Sequence, residues 1–210
     1  RIMTAASANK DTLIHDNILD AVGNTPLVRL PADFDPEVQC EVLLKLEFGN
    51  PGGSLKDRIA IHMIRTAVER GDLIPGGRIV ECSSGNTGAG LAMAASALGF
   101  DITVVIPDKM SQEKISAIEA LGADVVITPA NVDIDDPRHY TKVAGQIAKE
   151  CGGWWPDQYH NTDNTDAHYR TTGPEIWKQC EGRLDAFVAR AGTGGTLTGV
   201  AQYMKEVGPS

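Results

Sequence analysis

Short β-branched runs alternate with amphipathic helical segments along most of this chain, and this alternation limits the folds open to it. Several runs are apolar enough to be buried on both faces, as strands of parallel sheets are. Strand, helix and strand in succession predict right-handed βαβ units, and hence an α/β fold with a parallel sheet between helices. The strand candidates are "EVLLKLE" (41–47), "RIVEC" (78–82), "DITVVIP" (101–107), "ADVVITP" (123–129) and "LDAFVARA" (184–191).

Helical segments are predicted from apolar spacing and from capping residues. They begin after Lys56, after "ECSSGNTG" (81–88), after Ser111 as a cap, at "YTKVAGQIAKE" (140–150) and at "LTGVAQYMKEV" (197–207), with stop signals at Gly71, Gly99 and Gly122. The loop-like composition between 130 and 160 indicates a domain edge.

Composition narrows the class of partner. The chain has 210 residues, 42% of them hydrophobic, which is enough for one sizeable core or two modest ones. It contains no apolar run of a membrane-spanning length, and its opening residues lack the apolar centre of a secretory signal, so we expect a cytoplasmic protein. The net charge of −9 disfavours nucleic acid or an anionic membrane as a partner.

The cysteines give no support for a metal centre or a disulfide framework. Cys40, Cys82, Cys151 and Cys180 lie far apart, without a CxxC pair. We therefore expect free thiols and no bound metal.

Two glycine-rich loops stand where open α/β sheets bind ligands, between the end of a strand and the start of a helix. The carboxylate loop, "SSGNTG" (83–88), places the hydroxyls of Ser83, Ser84 and Thr87 at a helix start, which suits a carboxylate. The anion loop, "GTGGT" (192–196), offers glycines and threonines and suits a phosphate. Either loop alone is typical of an ordinary β-to-α turn, and neither matches a nucleotide-binding signature.

Lys56 follows the turn "NPGGSL" and opens a helical pattern. Enclosure and the positive end of a helix dipole both favour a neutral amine, which can form a Schiff base with a carbonyl. Taken alone, Lys56 reads as a solvated residue in a first helical turn. Together with the two loops, it predicts pyridoxal phosphate meeting an amino acid substrate.

The order and spacing of several motifs resemble the fold type II pyridoxal phosphate enzymes, specifically the cysteine synthase and cystathionine β-synthase branch. The motifs span 16–210 and are "GNTPLVRL", "NPGGSLKDR", "SSGNTG", "DKMSQEK", "DQYHN", "HYRTTGPEIW" and "GTGGTLTG". The resemblance implies a homodimer and a two-domain architecture with parallel-rich sheets flanked by helices. Residues 1–49 and 161–210 would belong to the large cofactor-binding domain and 50–160 to a small mobile domain. Because the family continues past residue 210, we expect a C-terminally truncated fragment that is poorly soluble and inactive alone.

The resemblance also implies a role for each matching residue. Lys56 resembles the Schiff-base lysine, and Asn86 resembles the residue that bonds the ring hydroxyl of the cofactor. The phosphate-binding positions correspond to Gly192, Thr193, Gly194, Gly195 and Thr196, and the carboxylate-binding positions to Ser83, Ser84, Asn86, Thr87 and Gln158. No haem is expected, because His15 and Cys40 lack the context of haem ligands.

The implied reaction is β-replacement on L-serine or O-acetyl-L-serine, with a thiol or sulfide as the second substrate, in cysteine and sulfur amino-acid biosynthesis. Lys56 would serve as anchor and as base. Lys109, Lys114 and Tyr159 look more like cystathionine β-synthase, so we expect serine and homocysteine as substrates. O-acetylserine with sulfide, as in cysteine synthase, and a non-catalytic binding or scaffold fragment are the alternatives. A dehydratase is disfavoured, since that branch typically has histidine where Thr87 stands.

Overall fold

A computed structural model describes residues 14–31, 33–83 and 85–208 of the chain. The strands are β1 Leu27–Arg29, β2 Leu43–Lys45, β3 Arg78–Cys82, β4 Asp101–Pro107 and β5 Asp124–Thr128. The α-helices are α1 Lys56–Arg70, α2 Asn86–Leu98, α3 Gln112–Ala120, α4 Tyr140–Cys151, α5 Asp163–Ala167, α6 Gly173–Gln179 and α7 Gly195–Val207. Single 3₁₀ turns lie at Ile18–Ala21 and Glu47–Gly49, and a π-helical turn, His168–Thr172, joins α5 to α6.

The predicted parallel sheet with helices on both faces is confirmed. Strands β3, β4 and β5 pair in parallel in sequence order. On β3, Ile79 packs into a core with α1, α2 and α3, whereas Val80 and Cys82 pack on the opposite face with α4. This alternation follows from the two-residue period of a strand. The parallel pairing places the carboxyl ends of β3, β4 and β5 at one edge of the sheet.

The chain outside this sheet departs from the predicted strands. The candidate 41–47 contributes only β2, which pairs antiparallel with β1 rather than joining a parallel sheet. The prediction of a strand at 184–191 is wrong: the stretch is irregular, and Val188 is 91% exposed. A strand needs a neighbour for its backbone hydrogen bonds, and neither sheet of the described chain pairs with this stretch.

Glycines end the first helices as predicted. Gly71 and Gly99 both adopt left-handed backbone conformations, with φ of 81° and 77°, and their N–H groups bond the last helical carbonyls. Helix α3 begins after Ser111, but the serine side chain makes no capping hydrogen bond there.

The C-terminal helices pack against α1. Helix α5 contacts α1 directly, and α7, which begins at the anion loop, packs on α5. Arg70, at the end of α1, holds the buried carboxylate of Asp163 with two hydrogen bonds of 2.8 and 2.9 Å. Helix α7 lies so close to α5 that a Cβ on Gly199 would stand 2.3 Å from the Thr165 carbonyl oxygen. In the described residues, no helix combines the length and the apolar character that crossing a membrane demands. The predicted division into two domains stays a prediction.

Candidate active site

Lys56 is the first residue of α1 and is half-buried. Its backbone N–H donates to Ser54 Oγ at 3.1 Å, which fixes the turn before the helix. The amine itself has no hydrogen bond or ion pair with any residue that the structure describes. Burial lowers the pKa of the Lys56 amine below its usual value, since a charged amine loses hydration there. A neutral, unpaired amine is the form that attacks a carbonyl.

The start of α2 lies directly beside Lys56. A Cβ on Gly90 would stand 3.1 Å from the Lys56 carbonyl oxygen, so only glycine permits this approach without a shift. Because α2 begins at Asn86, the close contact brings the carboxylate loop next to the lysine.

Of the predicted carboxylate-binding residues, Ser83, Thr87 and Gln158 are buried, and the structure brings Thr87 and Gln158 into contact. Thr87 Oγ1 donates to Gln158 Oε1 at 2.7 Å, across 71 residues of sequence. Ser83 Oγ accepts from the Gly85 N–H at 3.2 Å. The Asn86 side chain is exposed and bonds no described residue, and Ser84 lies outside the described residues.

The anion loop forms the N-terminus of α7. Gly194 has a left-handed φ of 83°, and Thr193 Oγ1 accepts from the Gly195 N–H at 3.3 Å. The N–H groups of Thr196 and Leu197 find no acceptor within the described ranges, as expected for the first turn of a helix. A Cβ on Gly195 would stand 2.3 Å from Asn164 Oδ1. Free N–H groups and the helix dipole make this loop a fitting cradle for a phosphate.

Two buried residues that the sequence analysis missed support the anion loop. Asn164 Nδ2 donates to the Gln158 carbonyl oxygen and to Thr193 Oγ1, both at 2.9 Å. His168, with no exposed surface, bonds Thr196 Oγ1 through Nε2 at 3.1 Å and Thr172 Oγ1 through Nδ1 at 2.9 Å. "HYRTTGPEIW" pointed to the region of His168 but not to its contacts, and no motif contained Asn164.

The imidazole of His168 is neutral near pH 7. Burial lowers its pKa to about 4, and the positive charges of Lys56 and Arg58 act in the same direction. Lys56 therefore lies close enough to His168 for its positive charge to lower the pKa of this histidine, which bonds the anion loop through Thr196.

The sequence analysis also missed a buried network of ion pairs, which anchors the first turn of α1. Arg58 binds Glu47 at 2.8 Å and Glu175 at 2.9 and 3.0 Å, and Lys45 forms a further ion pair with Glu175. Burial opposes the charged form of Glu175, but hydrogen bonds from Arg58 and Lys45 lower its pKa to about 2. The network joins α1 to the N-terminal segment and to α6. Its central residue, Arg58, is two residues from Lys56.

The strand that leads into the carboxylate loop ends in two buried titratable groups. Burial raises the pKa of Glu81 to about 8, and it raises that of the Cys82 thiol to about 12, with a further contribution from the charge of Glu81. Cys82 therefore supplies no thiolate near pH 7, so it is not a second nucleophile beside Lys56.

Comparison with known proteins identifies the family. A sequence profile described as "Pyridoxal-phosphate dependent enzyme" matches residues 18–210. The chain belongs to this family. It is 47% identical over 212 residues to a cystathionine beta-synthase of Apis mellifera, covering 99% of this chain and 42% of that protein. It is 45% identical over 192 residues to cysteine synthase 1 of Emericella nidulans, covering 91% of this chain and 51% of that protein.

Solved structures of the family share this fold. The crystal structure of O-ureido-L-serine synthase matches with a TM-score of 0.85 and 39% identity, over 92% of this chain and 60% of that one. These findings confirm the resemblance to the cysteine synthase and cystathionine β-synthase branch of fold type II. The chain spans about half the length of the curated relatives that it matches.

Family membership implies pyridoxal phosphate as cofactor, and the described residues fit it. Lys56 offers an unpaired amine of lowered pKa, and the anion loop offers free N–H groups at the start of α7. Asn164 Oδ1 is buried beside the same loop and finds no partner in the part of the chain that the structure describes. The lysine, the carboxylate loop and the anion loop therefore form one candidate site.

Proposed function

We propose that this chain carries the catalytic core of a pyridoxal phosphate-dependent β-replacement enzyme that acts on L-serine or O-acetyl-L-serine. The observation that carries the proposal is the unpaired, half-buried amine of Lys56, whose pKa is lowered by burial. The backbone of Lys56 lies beside α2, and its amine lies within electrostatic reach of His168, which bonds the anion loop. Nucleophile, carboxylate loop and anion loop then serve one amino acid substrate.

The cofactor would be held at both of its ends. Lys56 would hold its aldehyde carbon, the anion loop (192–196) its phosphate, and Asn86 its ring hydroxyl. When bound, pyridoxal phosphate supplies an electron sink for the bond that breaks at the α-carbon of the substrate. The exposed side chain of Asn86, which bonds no described residue, is free for that contact.

The protein side chains would divide the remaining work between them. Ser83, Ser84, Asn86, Thr87 and Gln158 would bind the substrate carboxylate. Since Thr87 donates to Gln158 Oε1, the Gln158 Nε2 group is left free to donate to that carboxylate. Once the substrate amine has replaced it on the cofactor, Lys56 would accept the α-proton at its freed Nζ, which its lowered pKa favours because only the neutral amine is a base. Closure of the small domain (50–160) over the substrate would exclude water.

Serine with homocysteine, giving cystathionine, is our preferred substrate pair. Tyr159 follows the carboxylate-binding Gln158, and its side chain is 65% exposed, so the tyrosine is not retained there for core packing. Its hydroxyl bonds no described residue and is available to a polar substrate group. Lys109 and Lys114 are likewise exposed.

The alternative pair is O-acetylserine with sulfide, as in cysteine synthase. It is supported by a cysteine synthase relative whose identity to this chain, at 45%, is close to that of the cystathionine beta-synthases. We also propose that the natural protein is a cytoplasmic homodimer without nucleic acid or membrane partners.

Steady-state assays of the natural full-length protein with two donors and two acceptors decide between these pairs. We expect the highest kcat/KM for serine with homocysteine, and we expect Tyr159→Phe to lower it more than the value for O-acetylserine with sulfide. A clear preference for O-acetylserine with sulfide would overturn the substrate assignment but not the reaction class.

A further inference from the structure

One amide group contacts both the carboxylate-binding side and the anion-binding side of the site. Asn164 is 2% exposed, and its Nδ2 lies 2.9 Å from the Gln158 carbonyl oxygen and 2.9 Å from Thr193 Oγ1. Gln158 in turn accepts the hydroxyl of Thr87 at 2.7 Å. Gln158 therefore links α2 to the start of α7, since its side chain bonds Thr87 and its main-chain carbonyl bonds Asn164.

The neighbours of Asn164 fix how its amide is oriented. A main-chain carbonyl only accepts hydrogen bonds, so the nitrogen must face Gln158. This orientation turns Oδ1 towards Gly195, where it is buried and has no hydrogen-bond partner among the residues that the structure describes. A buried acceptor without a hydrogen bond costs free energy of folding. This cost indicates that the asparagine is present for the hydrogen bonds that its amide nitrogen donates.

The same amide determines what Thr193 is able to do. Thr193 Oγ1 accepts from Asn164 Nδ2 at 2.9 Å and from the Gly195 N–H at 3.3 Å. A hydroxyl oxygen has two lone pairs and one proton. With both lone pairs engaged, Thr193 is left as a donor, which is the role that an anion at the loop requires.

We propose that Asn164 is a positioning residue that couples the carboxylate loop to the anion loop. Its amide nitrogen holds the backbone of Gln158 and presents Thr193 as a donor, so the loss of this nitrogen disturbs both binding sites at once. The inference rests on the proposed function, since it takes the two loops to bind the two ends of one cofactor–substrate pair.

Substitutions at Asn164 separate this role from a packing role. Alanine removes both hydrogen bonds, whereas aspartate keeps the shape, cannot donate when ionised, and adds a negative charge beside the anion loop. Asn161→Ala is the matched control. Asn161 also donates its amide to a backbone carbonyl, that of Pro156 at 3.0 Å, but it bonds no described residue of either loop.

The test uses the natural full-length protein and three measurements: the Kd of the apoprotein for pyridoxal phosphate, the Kd of the holoprotein for L-serine, and the thermal midpoint. We expect Asn164→Ala to weaken both ligands by about tenfold, the effect of losing a buried hydrogen bond. Asn164→Asp should weaken pyridoxal phosphate further than alanine does. Asn161→Ala should leave both affinities unchanged, even where its thermal midpoint falls.

The outcomes distinguish this inference from the proposed function. Normal wild-type binding with unchanged affinities in Asn164→Ala, or a loss for one ligand only, overturns the coupling role alone. If Asn164→Ala does not fold, the near-isosteric Asn164→Asp also removes the donor, and its affinity for L-serine then decides the coupling role, because its added charge alone weakens pyridoxal phosphate; an unchanged affinity for L-serine overturns the role. A wild-type apoprotein that does not bind pyridoxal phosphate overturns the proposed function together with the inference.

Discussion

Replacing Arg58 with methionine should destabilise the fold strongly. The Arg58 side chain is 2% exposed and lies between Glu47 and Glu175, which are 16% and 13% exposed. Breaking a buried ion pair by removing one partner costs about 3–5 kcal/mol, because the other charge stays buried without compensation. Lys45 remains paired with Glu175, so Glu47 alone loses its cation. We therefore expect the lower end of this range, about 3 kcal/mol.

Urea denaturation of the full-length protein, followed by circular dichroism, measures this loss as a shift of the midpoint. Arg29→Met is the matched control, because the Arg29–Glu41 pair is 68% and 54% exposed, and water and salt screen such a surface pair so that it contributes little to stability. In the double variant Arg58→Met/Glu47→Gln, the stranded charge is gone and part of the stability should return. Equal midpoint shifts for Arg58→Met and Arg29→Met would refute the reasoning.

Three further predictions follow from close contacts and shifted pKa values. Gly199→Ala should lower the free energy of unfolding by about 1–3 kcal/mol, because its Cβ would meet the Thr165 carbonyl oxygen at 2.3 Å. Gly49→Ala, whose Cβ would lie 3.8 Å from its nearest neighbour, is the control. Equal melting temperatures for the two variants would contradict this prediction. The Glu175 pKa of about 2 lies below the ordinary 4.5, so the stability it contributes is present above pH 4.5 and lost as the pH falls towards 2; Glu175→Gln should flatten this part of the urea-midpoint profile, and an unchanged slope would count against it. The lowered pKa of Lys56 means that its charge destabilises the folded apoprotein, so Lys56→Met should be more stable than the wild type at pH 7. This difference in stability should vanish as the pH rises past 10.5, where the lysine is neutral in both the folded and the unfolded state. A difference independent of pH would exclude this cause.

The sequence predicted those elements whose signal is local. The strands β3 and β4 are largely buried and β5 is partly exposed. The bounds of all three in the structure coincide with the predicted ones or lie within one residue of them. Helices α1 and α2 end at glycines with left-handed backbones. In both cases, the residues that determine the element are the residues of the element itself.

Elements that depend on distant partners were missed or wrong. The stretch 184–191 has a strand-like composition but no pairing neighbour in the described chain, and the antiparallel pairing of β1 with β2 has no local signature. The contact of Arg58 with Glu175 spans 117 residues of sequence, and the contact of Asn164 with Thr193 spans 29. Spacing and periodicity carry no information about such pairs. Thr87 and Gln158 were paired in advance only because a family resemblance supplied their common role.

Locating the lysine that holds pyridoxal phosphate tests the central claim most directly. The full-length protein would be incubated with pyridoxal phosphate, reduced with borohydride, digested and mapped by mass spectrometry, with Lys56→Ala as the control. We predict a cofactor adduct on the peptide that contains Lys56, and no adduct at the exposed Lys109 or Lys114. An adduct on another lysine, or an equal yield in Lys56→Ala, would contradict the account.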